Sequence, residues 1–221
     1  MPRPHRAGPL RRERTLVRSA AASQAGTHRP ALIIAHGVHR VGIWIPRSRV
    51  AQPARVAQVA NGATATSPHW SGYVDIATRG RRLKSVSASF TIPSVNCAKS
   101  PDGSFASHWV GLDGWADSTI EHVGITAFCS GGTAGYLAFY EMSPLPPVAF
   151  AGFSPGDAVR ASVTFKAPTW ALTLKDITNG ALVTAAQACP AGSTCRNLSA
   201  EVITEASKTA AGTILPLADY G

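Results

Sequence analysis

The chain has few charged residues and no long apolar segment, and these two absences exclude several classes of protein. Only 15% of its 221 residues are charged, whereas coiled coils and long helices are rich in charge. The longest apolar run in the N-terminal part covers residues 31–35, which is too short for a membrane span or for the apolar part of an ordinary signal peptide. No stretch keeps a helical apolar stripe for three turns.

The sequence also lacks the motifs of most cofactor chemistry. It has no phosphate-binding loop, no dinucleotide-binding fingerprint and no G-x-S-x-G nucleophile elbow, so the common nucleotide-dependent enzymes and serine hydrolases are not indicated. No spacing of Cys and His matches a zinc site. We therefore expect neither a cofactor nor a metal ion.

Positive charge is confined to the N-terminal part of the chain. Residues 1–68 hold 11 Arg and one acid, Glu13, whereas residues 69–221 hold 10 Lys and Arg against 11 Asp and Glu. The Arg residues are scattered among Ala, Pro and Gly without aromatic residues, which favours a leader of low order over an arm that binds nucleic acid. We divide the chain into this basic leader, residues 1–66, either processed or recorded from an upstream start, and a domain at residues 67–221.

Four cysteines, all in the near-neutral domain, allow three pairings. Cys189 and Cys195 frame a short loop that contains Pro and Gly, and Cys97 and Cys129 each follow a strand-like run. This pattern favours two disulfides and hence a secreted or extracytoplasmic protein. The alternative is four buried free thiols in a cytosolic protein.

From His69 onward the chain consists of short strand-like runs separated by turn residues. In residues 85–92, Val86, Ala88 and Phe90 alternate with polar residues, and the Asn179–Gly180 pair is a strong hairpin signal. Many short strands at regular spacing predict an all-β fold, either a sandwich or a curved-sheet jelly roll.

Several short motifs of the domain resemble, in the same order, those of the glutamic peptidase family (eqolisins, peptidase family G1). They are HWSGY at 69–73, SFTIP at 89–93, WVGLDG at 109–114, FYEM at 139–142, SPGD at 154–157, SAE at 199–201 and LADYG at 217–221. The resemblance implies a lectin-like (concanavalin A-like) antiparallel β-sandwich with its active site on a concave sheet. It also implies a polypeptide substrate and a monomer. The family usually continues through at least one more strand where this chain stops.

The resemblance also implies a catalytic pair. In the family a Glu acts as general base and later as acid, while a Gln orients water and donates to the tetrahedral oxygen. Glu201 matches the Glu, and its strand places Glu201, Ile203 and Glu205 on one face. The position of the Gln, two residues before a Gly, is held by His122. The alternative for Glu201 is an exposed charge on a solvated sheet face.

Histidine differs from glutamine because neutral imidazole has one N–H donor and imidazolium has two and a positive charge. Two hypotheses remain open. One is an acid endopeptidase of the glutamic type; the other is a non-catalytic pseudo-peptidase or a sandwich that binds peptide or glycan. By the same resemblance, further residues are expected to line the substrate groove, with core packing or a simple turn as the alternative. They are Trp70, Trp109, Asp113, Tyr140 and Glu141.

Overall fold

The computed structural model describes residues 14–19, 64–78, 81–115, 117–209 and 211–220, with the side chains of residues 14–19 and 64 left aside. Most of the predicted leader, 1–66, therefore lies outside the described residues. The described part of the chain contains strands and no helix. The strands are β1 (Arg14–Ser19), β2 (Thr64–Ser67), β3 (Trp70–Ile76), β4 (Ser85–Thr91), β5 (Phe105–Leu112), β6 (Ile120–Ser130), β7 (Thr133–Ser143), β8 (Val148–Phe150), β9 (Ala158–Lys166), β10 (Thr169–Asp176), β11 (Leu182–Ala188) and β12 (Ser199–Glu205).

The strands form two sheets that pack as a sandwich. The larger sheet has eight strands in the order β2-β1-β3-β12-β5-β6-β7-β8, and the smaller has four in the order β11-β10-β9-β4. All neighbouring strands are antiparallel except β1 and β2, which are parallel. The predicted all-β sandwich is confirmed. β12 lies between β3 and β5, so a late segment of the chain reaches the middle of the larger sheet.

The space between the sheets holds the main apolar core. Alternate residues of β5, β6 and β7, such as Val110 and Val123, pack there against Val159, Val163 and Leu172 of the smaller sheet. The predicted alternation of β4 is confirmed, because Phe90 is buried in this core and both Val86 and Ala88 pack against it. The predicted Asn179–Gly180 hairpin joins β10 to β11, with Gly180 at a φ of 84° that glycine adopts without strain.

A second apolar cluster lies on the opposite face of the larger sheet, which we call the site face. Successive residues of a strand point to opposite faces, so each strand of this sheet contributes one set of side chains to the core and another to the site face. The site-face cluster comprises Ala65, Trp70, Val74, Trp109, Trp115, Ile120, Phe139 and Ile203. This arrangement brings aromatic residues from three strands, and Trp115 from the segment after β5, to one surface.

Two disulfides join the predicted cysteine pairs. Cys97 is bonded to Cys129, and Cys189 to Cys195. The first bridge ties the segment after β4 to the end of β6, beside a small cluster that includes Val95 and Ala218. The expectation of two disulfides is confirmed. Among the described residues, no helix is long and apolar enough to cross a membrane.

Candidate functional site

The site is built on one cross-strand line of four residues in the centre of the larger sheet. Glu201 of β12 pairs with Gly111 of β5, Gly111 pairs with His122 of β6, and His122 pairs with Glu141 of β7. Directly paired residues of neighbouring strands point to the same face. Glu201, His122 and Glu141 therefore all lie on the site face, with only a glycine between the first two.

Gly111 leaves room between Glu201 and His122. A Cβ atom added at Gly111 would lie 3.0 Å from the Cβ of His122 and 3.1 Å from Cζ3 of Trp109, which is tighter than ordinary van der Waals contact. The Cα atoms of Glu201 and His122 are two strand spacings apart, about 10 Å. The Trp109 ring and the Ile120 side chain, whose Cγ2 would lie 3.2 Å from that added Cβ, therefore pack against Gly111 between the two strands.

Glu201 is a fully buried carboxyl group. Neither of its oxygens accepts a well-formed hydrogen bond from the described residues. Burial raises the pKa of Glu201 well above its ordinary value, the Ser199 hydroxyl opposes this, and the charges of Asp113, Asp117 and Glu121 raise the pKa further. The alternative of an exposed charge on a solvated face is therefore wrong.

His122 is buried between aromatic rings and a second carboxyl group. Its ring centroid lies 4.9 Å from that of Trp109 and 5.3 Å from that of Phe139. Its Nε2 lies 3.6 Å from Oε2 of Glu141, an ion-pair distance rather than a hydrogen bond. Burial lowers the pKa of His122 to about 4, with an opposing contribution from the backbone of Ile120. The imidazole is therefore neutral at neutral pH.

Glu141 is also buried, and its position next to His122 makes it part of the same unit. Burial raises the pKa of Glu141 well above its ordinary value, and the charge of Glu205 raises it further. Because burial favours the neutral form of both groups, the resting pair is a carboxylic acid beside a neutral imidazole.

Trp109 connects this line to a further carboxyl group on the same face. Its Nε1–H donates a 2.9 Å hydrogen bond to Oε2 of Glu205, and its ring packs edge-on against Trp70, with the centroids 5.2 Å apart. Burial raises the pKa of Glu205 to about 7, opposed by Trp109, Trp70 and Lys208. The structure thus places Trp70 and Trp109 on the site face, with both rings buried in its apolar cluster; their place in a substrate groove stays a prediction.

Asp113 has a structural environment rather than an open one. Its carboxylate accepts hydrogen bonds from the backbone N–H groups of residues 196, 197 and 198, at 2.7, 2.7 and 2.6 Å. Its φ of 64° turns the chain at the end of β5, into the segment that carries Trp115 and Asp117. This carboxylate therefore fixes the segment before β12, and with it the position of Glu201.

Tyr140 is not brought to the site face. It neighbours Glu141 in β7, so the two side chains point to opposite faces. Tyr140 packs against the core between the sheets, where its hydroxyl accepts a 3.4 Å hydrogen bond from Nε2 of Gln187. Of the five groove residues expected from the resemblance, it is the one on the opposite face of the sheet.

Sequence reasoning missed Glu121 as a residue of interest. It neighbours His122 in β6 and points to the opposite face, as expected, but it is fully buried and neither of its oxygens has a hydrogen-bond partner of good geometry among the described residues. Burial raises the pKa of Glu121 to about 9, and the charges of Asp113 and Asp117 contribute. The signal was available, since the strand alternation that places His122 on one face places Glu121 on the core face.

Metal binding has no donor set in the described residues. No group of three or more His, Cys, Asp or Glu side chains is arranged there to hold a metal ion. The carboxyl groups, imidazole and indole N–H of the site face are suited to proton transfer to and from a water molecule and to donation to a developing oxyanion.

A sandwich of two antiparallel sheets with buried carboxyl groups on one face agrees with the fold that the motif resemblance implied. The model of the Peptidase A4 family matches residues 68–221, so the chain belongs to this family. The membership predicted from the motifs is confirmed. No curated protein matches the chain.

Solved structures of glutamic peptidases share the fold. Scytalido-glutamic peptidase with a transition state analog inhibitor is 26% identical, with a TM-score of 0.59, and the match covers 69% of this chain and 74% of that one. The same peptidase with a peptide-based transition state analog is 28% identical, with a TM-score of 0.57 and the same coverage. SCP-B, an eqolisin in a complex with the tripeptide Ala-Ile-His, is 25% identical, with a TM-score of 0.53, covering 69% of this chain and 73% of that one.

Proposed function

We propose that this protein is an endopeptidase of the glutamic type that hydrolyses peptide bonds with a water molecule activated by Glu201. The observation that carries the proposal is the placement of Glu201 and His122 on one face, directly across Gly111. Structures of family members with transition state analogs support a polypeptide substrate. Glu201 takes the proton from water and later returns it to the leaving amine, while His122 donates a hydrogen bond to the tetrahedral oxygen.

The pH at which Glu201 serves as a base follows from its environment. A general base must be ionised, and burial raises the pKa of Glu201 well above its ordinary value. The carboxylate population therefore grows as the pH rises, and so does the expected rate. The resemblance alone indicated activity at acid pH; the burial of Glu201 moves the expected rise in activity to higher pH.

The test is hydrolysis of a denatured protein substrate from pH 2 to 9 by the full chain and by two variants. Glu201→Gln removes the base but keeps the shape of the side chain, so hydrolysis should fall to background. His122→Gln restores the residue of the family and should retain or increase hydrolysis. Activity that persists in Glu201→Gln, in a preparation free of contaminating protease, would refute the proposed role.

A non-catalytic binding function is the second candidate, and one observation favours it. The ionisable group described in contact with His122 is Glu141, at 3.6 Å, and no described contact joins His122 to Glu201. If the wild-type chain binds peptides without cutting them and His122→Gln cuts, the chain is a pseudo-peptidase on an intact scaffold. If neither cuts while both fold and bind, the peptide- or glycan-binding sandwich is the function.

The domain boundary and the compartment are part of the same proposal. We place the catalytic unit at residues 67–221, which agrees closely with the family match. The two disulfides support an extracytoplasmic location, because such bonds persist in oxidising compartments. Mass spectrometry of the mature protein, and its presence in culture medium rather than in the cell, would test both statements.

A further inference from the structure

We infer that Glu141 is a positioning residue whose protonated carboxyl group donates to Nε2 of His122 and thereby fixes the tautomer that carries its proton on Nδ1. This inference rests on the proposed function, because it specifies how His122 replaces the family's Gln. It goes beyond the expectation that Glu141 lines the substrate groove.

The position of Glu141 beside His122 is the first support for this assignment. His122 and Glu141 are directly paired on neighbouring strands, and Nε2 of the imidazole is the atom that faces the carboxyl group, 3.6 Å from its Oε2. A movement of about 0.6 Å by either side chain gives an ordinary N···O hydrogen bond. Trp109 and Phe139 flank the ring and limit its rotation. The imidazole is thus held with one nitrogen committed to Glu141.

The second step concerns which partner carries the proton. Burial disfavours both the carboxylate and the imidazolium, so the pair is stable as an acid and a neutral base. In that state Glu141 donates and Nε2 accepts, which leaves the single imidazole proton on Nδ1. Nδ1 makes no well-formed hydrogen bond with the described residues. The backbone of Ile120, which opposes the lowering of the His122 pKa, is the other polar group near the ring, so a substrate oxygen would compete with it for the imidazole proton.

The ionisable groups on the elements packed beside β6 are mostly acids, with Lys208 after β12 as a cation whose charge acts on Glu205. Glu201 and Glu205 lie on β12, and Asp113 and Asp117 follow β5. Glu121 of β6 itself points to the opposite face. None of these groups lies within ion-pair distance of the imidazole in the described part of the chain, whereas Glu141 does.

The tautomer can be read directly by long-range ¹H–¹⁵N NMR of the ¹⁵N-labelled full chain at pH 6, whether or not the protein is active. His122→Gln identifies the signals of His122 by their loss. We expect a pyrrole-type Nδ1 and a pyridine-type Nε2 in the wild type, and the same pattern in Glu141→Gln, whose amide N–H also donates to Nε2. Glu141→Leu, which cannot donate, should give a mixture of tautomers or the opposite one.

His108 is an internal control in the same spectra. It is buried on the other face of the sheet, and its Nδ1 lies 2.9 Å from Oγ1 of Thr204, so its tautomer should not respond to substitutions at Glu141. An Nε2–H tautomer of His122 in the wild type, or an unchanged His122 in folded Glu141→Leu, would overturn the inference. If Glu141→Leu does not fold, the wild type and Glu141→Gln decide the matter.

Kinetics separate this inference from the proposed function. In an active chain, Glu141→Leu should lower kcat by about 100-fold with little change in KM, because a misplaced donor weakens mainly the transition state. Glu141→Gln should restore most of the rate. The same Leu substitution in the His122→Gln background should have a much smaller effect. If neither the wild type nor His122→Gln cuts, the proposed function fails, while the tautomer measurement still decides the role of Glu141.

Discussion

Glu121→Gln tests quantitatively how burial of an acid makes the stability of this fold depend on pH. Glu121 is fully buried, and burial raises its pKa from 4.5 to about 9. Between these two pH values the folded chain holds a proton at Glu121 that the unfolded chain has lost. The free energy of unfolding must then decrease as the pH rises, by about 1.4 kcal/mol per pH unit for this one group.

Several other shifted groups act in lower pH windows. Burial also raises the pKa of Glu201 and Glu141, but these two acids contribute in the wild type and in Glu121→Gln alike, so the comparison of the two proteins isolates Glu121. Burial raises the pKa of Glu205 to about 7. Burial and the charge of Asp113 raise the pKa of Asp117 to about 6. These two groups therefore stop lowering the free energy of unfolding once the pH passes about 7 and about 6. Burial lowers the pKa of His122 to about 4 and that of His108 to about 3. Both groups therefore make the free energy of unfolding rise with pH, and this rise ends near the ordinary histidine pKa of 6.5. Above pH 7 the Glu121 contribution persists.

The assay is urea unfolding of the full chain from pH 5 to 8.5 at fixed ionic strength. Between pH 7 and 8.5 the wild type should lose about 2 kcal/mol more stability than Glu121→Gln, which has no proton to lose. Glu205→Gln is the matched control: its effect on the slope should be confined mainly to pH values below 7. Equal slopes for the wild type and Glu121→Gln above pH 7 would show that Glu121 is already ionised there and would refute the reasoning.

Three further predictions follow from single contacts. Gly111→Ala should abolish hydrolysis and lower the free energy of unfolding by about 1–3 kcal/mol, because the added methyl group enters the space beside His122. An activity assay and urea unfolding measure the two effects. Retained activity would show that this space is not used. Removing the Cys97–Cys129 bridge, which spans 32 residues, should lower the free energy of unfolding by about 4 kcal/mol. Removing the Cys189–Cys195 bridge, which spans 6, should lower it by about 2 kcal/mol. Thermal melting compares the two variants, and a reversed order would contradict the loop-entropy argument. Asp113→Ala should destabilise the chain by several kcal/mol and lower kcat, since three backbone N–H groups lose their acceptor; wild-type stability would exclude this anchoring role.

The Cys189–Cys195 loop and the alternation of the strands were predictable because both are local, whereas Cys97 and Cys129 are 32 residues apart. Val86, Ala88 and Phe90 share a face in any extended strand, and Cys189 and Cys195 are too close in sequence to lie far apart. The same alternation of side chains along a strand predicts that Tyr140 and Glu141 point to opposite faces of the sheet. The motif resemblance named both residues for the groove, yet two neighbours in a strand cannot point to the same face.

The electrostatic state of the site was not predictable, because it depends on which strands become neighbours. Nothing near Glu201 in the sequence indicates that Gly111 lies beside it, that His122 follows across the sheet, or that the carboxyl group is fully buried. Burial is a property of the assembled sheets, and it raises the pKa of the Glu residues and lowers that of the His residues.

The sequence by itself determined the class of fold and the family, and it singled out Glu201 and His122 as candidates, because strand alternation, turn residues and short motifs are carried by neighbouring positions. The tertiary structure alone decided how those residues meet. It aligned Glu201, Gly111, His122 and Glu141 across four strands and engaged the carboxylate of Asp113 with backbone N–H groups. It also gave His122 an acidic neighbour on the side away from Glu201. Register between strands distant in sequence is set by packing of the whole sheet, and no local pattern encodes it.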